Sequence, residues 1–238
     1  SFTDSPHNPT RFDPYKKGSS MPNKRRNAAI WAAAIVWLAG IAYGSAAMWQ
    51  FQRKAGDNAA APVYWPQSSR LALAKNGPTV VMFAHPRCPC TRASVSQLRE
   101  LLSGSKAKPG SVYVLVLRPN EFPEGWEKTD VWRNAASIPG VTVLSDLDGV
   151  EAARLGAITS GQTLVYDTAG KLVFRGGVTA LRGEVGESLG SRSLEAVLAG
   201  SAPTSDVTSV FGCPIREAAP ADTKPAAVTH AAKLQKKS

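Results

Sequence analysis

The stretch TVVMFAHPRCPCTRASVSQLRELL, residues 79–102, joins an apolar run to two closely spaced cysteines. Residues 79–84 are apolar and largely β-branched, which predicts a short buried strand. Pro89 suits the first position of a helix, where a missing N–H costs nothing, and apolar residues then recur at helical spacing. Cys88 and Cys90 therefore lie at a strand-to-helix junction, and the N-terminus of a helix stabilises a thiolate.

Strands and helices alternate through the rest of this region. Further strands are predicted at 112–117, 141–144, 163–166 and 171–174, and helices at 126–136, 150–155 and 191–198. The sequence Asp-Thr-Ala-Gly at 167–170 joins the last two strands as a hairpin turn. Alternation of strands and helices indicates a parallel component, and the hairpin adds an antiparallel pair. We therefore expect an α/β domain with a mixed central sheet flanked by helices.

A second apolar segment precedes this domain. Residues 28–51 are mostly apolar, and no charged residue occurs from 27 to 52. A helix of this length spans a bilayer core of about 30 Å. Basic residues are denser before the segment than after it, so the positive-inside rule places the N-terminus in the cytoplasm. A cleaved signal peptide is the alternative, because the small residues at 44–47 offer a cleavage site.

These observations divide the chain into five predicted segments. They are a basic cytoplasmic segment (1–27), a transmembrane anchor (28–51), a flexible linker (52–62), the folded domain (63–215) and a disordered tail (216–238). Residues 201–209 are also expected to be disordered, since Ala, Pro, Ser and Thr dominate them. In a bacterium this describes a single-pass protein of the inner membrane whose domain lies in the periplasm, where disulfides persist.

The net charge of +10 falls mostly in the two terminal segments. The middle of the chain has no basic stripe with interleaved aromatic residues, so the high pI does not indicate nucleic-acid binding. Residues 176–190 contain several glycines and charged side chains, including Arg182, and are expected to form a solvated loop, the alternative being a loop that covers the cysteine pair.

The two neighbouring cysteines favour redox chemistry. A disulfide requires Cα atoms about 4.4–6.8 Å apart, which residues two positions apart at a helix start can meet. The resulting ring is small and strained, and strained disulfides tend to be the labile, catalytic ones. Arg87 adds positive charge that favours a thiolate. A static disulfide or an inert pair of thiols remains the alternative.

Cys213, in the sequence Phe-Gly-Cys-Pro, is the third and last cysteine of the chain. It could fold back to resolve a mixed disulfide, or complete a ligand set with His85, Cys88 and Cys90. Such nitrogen and sulfur ligands suit zinc or copper, although the spacing matches no standard zinc motif. The other interpretation is an unpaired thiol in a surface segment, with His85 hydrogen-bonded to backbone.

Parts of the sequence resemble thioredoxin-superfamily proteins of the TlpA and peroxiredoxin-like branch. The resemblance is carried by residues 80–92, by Arg-Leu-Gly-Ala at 154–157 and by TLVYDTAGKLV at 163–173. HPRCPCTRAS at 85–94 and FGCP at 211–214 are more closely similar to membrane-anchored RedB-like proteins of bacteria.

The resemblance implies a thioredoxin-like fold and a function in thiol–disulfide exchange. By this analogy Cys88 attacks and Cys90 resolves, the partners are protein thiols and disulfides, and no cofactor is bound. Thioredoxins, however, carry two residues between the cysteines, whereas this chain has only Pro89. They also place a cis-proline before the hairpin, at a position that here falls on Gly161, next to Ser160.

The missing proline puts the usual mode of substrate binding in doubt and leaves the sulfurs more open to a metal. A copper-binding or copper-delivery protein for oxidase assembly is therefore the alternative function. A thiol peroxidase is a third option, although His85 occupies the place where peroxidatic sites carry Thr or Ser.

Overall fold

A computed structural model describes residues 24–57, 60–104 and 109–216. Residues 1–23 and nearly all of the predicted tail lie outside the described residues. Helix α1, Lys24–Arg53, has 30 residues, none of them buried, and extends for about 45 Å. By length and composition it is the one described helix that could cross a membrane, and a signal sequence would meet the same criteria.

The folded domain follows α1 and is built on a five-stranded sheet in the described part of the chain. Its strands are β1 Thr79–Ala84, β2 Ser111–Arg118, β3 Val141–Leu147, β4 Thr163–Tyr166 and β5 Leu172–Gly176. Its helices are α2 Pro89–Ser103, α3 Asp130–Ala136, α4 Val150–Arg154 and α5 Leu189–Leu198. The strand order is β3-β2-β1-β4-β5. The pairs β1–β2 and β2–β3 are parallel, and β1–β4 and β4–β5 are antiparallel. This is the thioredoxin-like arrangement, which confirms the predicted fold class.

Strand β1 is central because both of its faces are apolar. All six of its residues are buried. Val80 and Met82 contribute to one hydrophobic cluster, whereas Val81 and Phe83 contribute to another, as the two-residue period of a strand requires. Helix α2 packs its apolar face into the first cluster. The junction between β1 and α2 is thus fixed on both sides by core packing.

Two predicted element boundaries differ from the structure. The helix expected over 126–136 begins only at Asp130, because Thr129 is in an extended conformation and its side chain donates to the Pro86 carbonyl over 2.8 Å. Strand β3 continues to Leu147 rather than ending at 144. The buried Asp146 carboxylate then accepts hydrogen bonds from backbone N–H groups at the start of α4. A contact 43 positions away sets the start of α3, and parallel pairing with β2 as far as Arg118 carries β3 to Leu147.

Residues 201–209, predicted to be disordered, lie along strand β5. The Arg175 N–H donates to the Asp206 carbonyl over 2.8 Å, and the Thr208 N–H donates back to the Arg175 carbonyl over 3.1 Å. Thr208 and Val210 are buried. The prediction was wrong because amino-acid composition carries no information on backbone pairing with a strand edge. Such pairing satisfies the backbone N–H and C=O groups whatever the side chains are.

The segment before Val63 also packs on the domain, in contrast to the flexible linker expected there. The Gly56 N–H donates to the Val210 carbonyl over 2.8 Å, and the Tyr166 hydroxyl donates to the Pro62 carbonyl over 3.0 Å. Ala61 is buried within a hydrophobic cluster. The described residues of this segment therefore contribute to the fold.

Candidate functional site

Cys88 lies where the local sequence places it, at the N-terminal end of α2. It is the N-cap residue, with Pro89 in the first turn of the helix. Its backbone N–H donates to the His85 carbonyl over 3.1 Å, and its carbonyl accepts from the Thr91 N–H over 3.2 Å. Only 2% of Cys88 is exposed. The thiol is thus held at the positive end of a helix dipole and largely out of water.

Cys213 lies directly against Cys88. The two Sγ atoms are 3.0 Å apart, although 125 positions separate the residues in the chain. Cys213 reaches this place because its segment pairs with the loop before β4. The Ser160 N–H donates to the Cys213 carbonyl, and the Ile215 N–H donates to the Ile158 carbonyl, each over 2.8 Å. This position agrees with the prediction that the Cys213 thiol joins that of Cys88. It does not agree with the alternative of an unpaired thiol in a surface segment.

Gly212 makes that close pairing possible. A Cβ atom at this position would lie 1.8 Å from the Ser160 carbonyl oxygen, a distance no side chain can occupy. The absence of a side chain therefore lets the two backbones approach, and their approach positions Cys213.

Gly161, at the expected cis-proline position, adopts a backbone that proline cannot. Its φ is +90°, whereas proline is fixed near −65°. Its N–H also donates to the Phe83 carbonyl over 2.7 Å, which links the loop before β4 to the end of β1.

Ser160 connects the loop before β4, the β1–α2 junction and the segment that carries Cys213. Its hydroxyl accepts a hydrogen bond from the His85 N–H over 2.7 Å and forms another with the Thr91 hydroxyl. Ser160 is fully buried, so these bonds are shielded from water. One side chain therefore ties the loop before β4 to the β1–α2 junction, and its N–H ties both to Cys213.

The surroundings of Cys88 favour its thiolate. Burial raises the pKa of the Cys88 thiol, but hydrogen bonds from Cys213 and Thr91 outweigh burial and lower the pKa below its ordinary value. In the interaction that lowers the pKa of Cys88, the Cys213 thiol donates to the Cys88 sulfur. The same interactions hold Cys213 protonated, since burial and then the neighbouring Cys88 raise the pKa of Cys213 to about 12.

The surroundings of Cys90 act in the opposite sense to those of Cys88. Burial and the charge of Cys88 raise the pKa of Cys90, and a hydrogen bond from Arg182 offsets part of that increase. Arg182 is anchored by its own bonds to backbone, from Nε to the Lys54 carbonyl over 3.1 Å and from one terminal nitrogen to the Gly212 carbonyl over 2.8 Å. The residue expected in a solvated loop is thus the cation beside two of the thiols.

Arg87, the basic residue that the sequence predicted at the thiols, is engaged elsewhere. The Arg87 guanidinium lies over the Trp126 ring, 4.8 Å from its centroid, and His85 meets the edge of the same ring. The His85 Nδ1 atom accepts from the Arg87 N–H over 3.2 Å. His85, Arg87 and Trp126 line a cleft of about 470 Å³, together with Ile215 and other residues.

The predicted metal-ligand set is not assembled. Within residues 24–57, 60–104 and 109–216, no group of three or more His, Cys, Asp or Glu side chains is arranged to hold a metal ion. The set of His85, Cys88, Cys90 and Cys213 therefore does not fit a metal in this geometry, and copper binding stays a prediction of the sequence.

Two residues at the site were missed by sequence reasoning. Thr91 lies three positions after Cys88, so the helix start carries a signal that could have identified it as a hydrogen-bond donor to the N-cap residue. Arg182 has no such signal, because it reaches the site from a distant loop.

Comparison with solved structures supports the fold. An uncharacterised conserved protein from Geobacillus kaustophilus is similar with a TM-score of 0.50 and 19% identity, over 70% of this chain and 95% of its own. A hypothetical protein from Sinorhizobium meliloti gives a TM-score of 0.44 and 21% identity, over 68% and 93%. A secreted disulfide oxidoreductase of Mycobacterium tuberculosis gives 0.37 and 18%, over 53% and 84%. No family model matches the chain, and no curated protein matches it. At these identities the likeness concerns the fold alone.

Proposed function

We propose that this protein is a membrane-anchored thiol–disulfide oxidoreductase whose domain acts outside the cytoplasm. One observation carries the proposal: the buried Cys88 thiol at the start of α2 has a second thiol, that of Cys213, 3.0 Å away. The lowered pKa of Cys88 beside the raised pKa of its neighbours supports the same division of roles. Disulfide exchange requires an attacking thiolate and a second thiol close to it, and this is the arrangement at the site.

The chemistry begins at the Cys-Pro-Cys segment. The Cys88 thiolate attacks one sulfur of a partner's disulfide, the other sulfur of the partner leaves as a thiolate, and Cys88 is left in a mixed disulfide. A second thiol of this chain then attacks Cys88, forms an internal disulfide and releases the partner reduced. Because Cys88 is 2% exposed, attack on a protein partner requires local opening of the site. The partners are protein thiols and disulfides, and nucleic acid plays no part.

Helix α1 is the basis for the proposed location. It is long and apolar enough to anchor the protein in a bacterial inner membrane, with the basic N-terminal segment in the cytoplasm and the domain in the periplasm. The RedB-like proteins that the sequence resembles are likewise membrane-anchored. Alkaline phosphatase fused after Ser238 tests it, since that enzyme is active only outside the cytoplasm. An inactive fusion that is fully expressed would contradict the orientation.

The exchange reaction is tested on the full chain in detergent, reduced and then mixed with oxidised glutathione. We expect glutathione release from the wild type and none from Cys88→Ser, because a hydroxyl is not ionised at neutral pH and is a far weaker nucleophile. Ser209→Ala is the matched control, since Ser209 is exposed in the same segment as Cys213, and it should react like the wild type. Glutathione release from Cys88→Ser at the wild-type rate would overturn the proposal.

The same reduced sample separates the alternative functions. Anaerobic titration with Cu(I) should show no stoichiometric binding if exchange is the function, whereas tight binding lost in Cys88→Ser would favour a copper carrier. Hydrogen peroxide consumed faster than oxidised glutathione would favour a peroxidase.

A further inference from the structure

The position of Cys213 bears on which thiol completes the reaction. Its Sγ is 3.0 Å from that of Cys88, so an approach of about 1 Å gives the length of a disulfide bond. The approach closes a contact that already exists. It also joins two separate segments and does not require α2 to change.

Cys90 is placed less favourably for the same bond. It is the second residue of α2, two positions after Cys88, and residues two apart on a helix do not face each other. A bond between them would close a small ring across the first turn, where the Thr91 N–H donates to the Cys88 carbonyl. Cys90 does interact with Cys88, which raises the pKa of Cys90, and it also interacts with Arg182, which lowers that pKa.

The segment that carries Cys213 is held in register by backbone bonds at either side of the sulfur. The Ser160 N–H bonds the Cys213 carbonyl, the Ile215 N–H bonds the Ile158 carbonyl, and Arg182 bonds the Gly212 carbonyl. Five residues, Phe211 to Ile215, are therefore aligned along the loop before β4. Pro214 forms an isolated antiparallel bridge with Thr159, directly beside the cysteine that meets the attacking thiol.

We propose that Cys213, and not Cys90, is the resolving thiol, so that the redox disulfide of this protein is Cys88–Cys213. The inference rests on the proposed exchange function and names the second cysteine of that reaction. Cys90 then remains a thiol throughout the cycle, beside Arg182.

Reduction of a partner disulfide then takes two successive exchanges, the first at Cys88 and the second at Cys213. Cys88 forms a mixed disulfide with the partner and expels the partner's first thiolate. Cys213 loses its proton to solvent, its sulfur attacks that of Cys88, and the partner's second sulfur leaves as a thiolate. The partner disulfide is reduced by two electrons to two thiols, and the chain is oxidised by two electrons to one disulfide.

The charges at the site favour this order of events. While Cys88 is a thiolate, its charge and hydrogen bond add to burial in raising the pKa of Cys213. A mixed disulfide on Cys88 removes both contributions, whereas burial and the charge of Cys90 remain, opposed by Arg182. The pKa of Cys213 therefore falls once Cys88 has reacted, which favours attack by Cys213 at that stage.

Peptide mapping tests the assignment on the full chain in detergent. The reduced protein is oxidised with oxidised glutathione, free thiols are blocked with iodoacetamide, and the unreduced sample is digested with trypsin. Cys88 and Cys90 fall together in the peptide 88–92, and Cys213 falls in 193–216. A cross-link between these peptides and an internal bond in 88–92 have different masses.

We expect the cross-link between 88–92 and 193–216 in the wild type and in Cys90→Ser, and its loss in Cys88→Ser. Cys213→Ser should instead accumulate the glutathione adduct of Cys88, because the resolving sulfur is gone. An internal Cys88–Cys90 bond in the wild type, or an adduct that accumulates in Cys90→Ser but not in Cys213→Ser, would overturn the assignment and leave the exchange function intact. If neither the adduct nor the cross-link forms in any variant, the proposed exchange function itself is contradicted.

Discussion

The two segments that bring sulfur to the site are built in different ways. Residues 85–92 follow β1 directly and begin α2, and a proline at the first helical position fixes their conformation. Residues 211–215 form no helix or extended strand of their own and are held by isolated backbone bonds to residues 158–160. The first segment rests on local preferences supplemented by bonds from Ser160 and Thr129, and the second depends on the loop it pairs with.

This difference predicts unequal tolerance to substitution. Local conformation at 85–92 rests on several overlapping signals, so one change leaves the others in place. The position of 211–215 rests on one close approach between backbones, at Gly212, so one methyl group can disrupt it. Four substitutions test the contrast.

The largest effect is expected from Gly212→Ala. The added Cβ would lie 1.8 Å from the Ser160 carbonyl oxygen, so residues 211–215 must shift. We expect a loss of about 1–3 kcal/mol in the free energy of unfolding, as for other overpacked positions, and a marked fall in the yield of the Cys88–Cys213 cross-link. Denaturant unfolding in detergent and the peptide map measure the two effects.

Gly104→Ala is the matched control for that change. Gly104 ends α2 with a φ of −62°, and a Cβ there would make only an ordinary contact. Its unfolding free energy should stay within about 0.5 kcal/mol of the wild type. Equal losses in the two variants would mean that the pairing at Gly212 is not a special constraint.

A smaller effect is expected from Cys213→Ala, which leaves the fold in place but removes the hydrogen bond to Cys88. That bond lowers the pKa of Cys88, so the pKa should rise and the Cys88 thiolate should form only at higher pH. The rate of Cys88 alkylation against pH, measured in a Cys90→Ser background, should shift its midpoint upward.

Cys213→Ser retains a hydroxyl donor at the same position and should shift that midpoint less. If the alanine and serine variants shift it equally, the hydrogen bond is not what lowers the pKa of Cys88.

Arg182→Gln should act on Cys90 more than on Cys88. Arg182 donates a hydrogen bond to Cys90 and lowers its pKa, so its removal should raise the pKa of Cys90 further. Alkylation of Cys90 in a Cys88→Ser background should then require higher pH. Arg192→Gln is the control, because Arg192 forms an exposed ion pair with Glu187 that is worth about 0–1 kcal/mol. A shift as large in the control would exclude a specific role for Arg182.

The smallest effect is expected from Pro89→Ala. Alanine fits the first helical position, so the change acts mainly by increasing the conformational entropy of the unfolded chain. We expect the free energy of unfolding to fall by about 0.4–1 kcal/mol. Cys88 should react with oxidised glutathione at close to the wild-type rate. A fall in the free energy of unfolding as large as that of Gly212→Ala would contradict the idea that several independent signals fix residues 85–92.

Much of the fold was predictable because its core elements carry strong local patterns. Strand β1 and helix α2 were placed correctly, since an unbroken apolar run and a helical period are visible without any tertiary information. The start of α3 was misplaced because Thr129 bonds the Pro86 carbonyl, a contact 43 positions away that no local pattern records. Residues 201–209 were misjudged for the same reason, since their order comes from pairing with Arg175.

The sequence by itself determined the placement of two cysteines at the β1–α2 junction and the presence of an apolar helix before the domain. Both follow from residue types at short spacing, where local sterics and hydrophobic periodicity dominate. Only the tertiary structure decided which groups surround Cys88. Cys213 and Arg182 arrive from distant segments, and their positions depend on backbone bonds formed after the sheet and its loops are in place. Long-range pairing of this kind is set by the geometry of the whole fold, which short stretches of sequence do not encode.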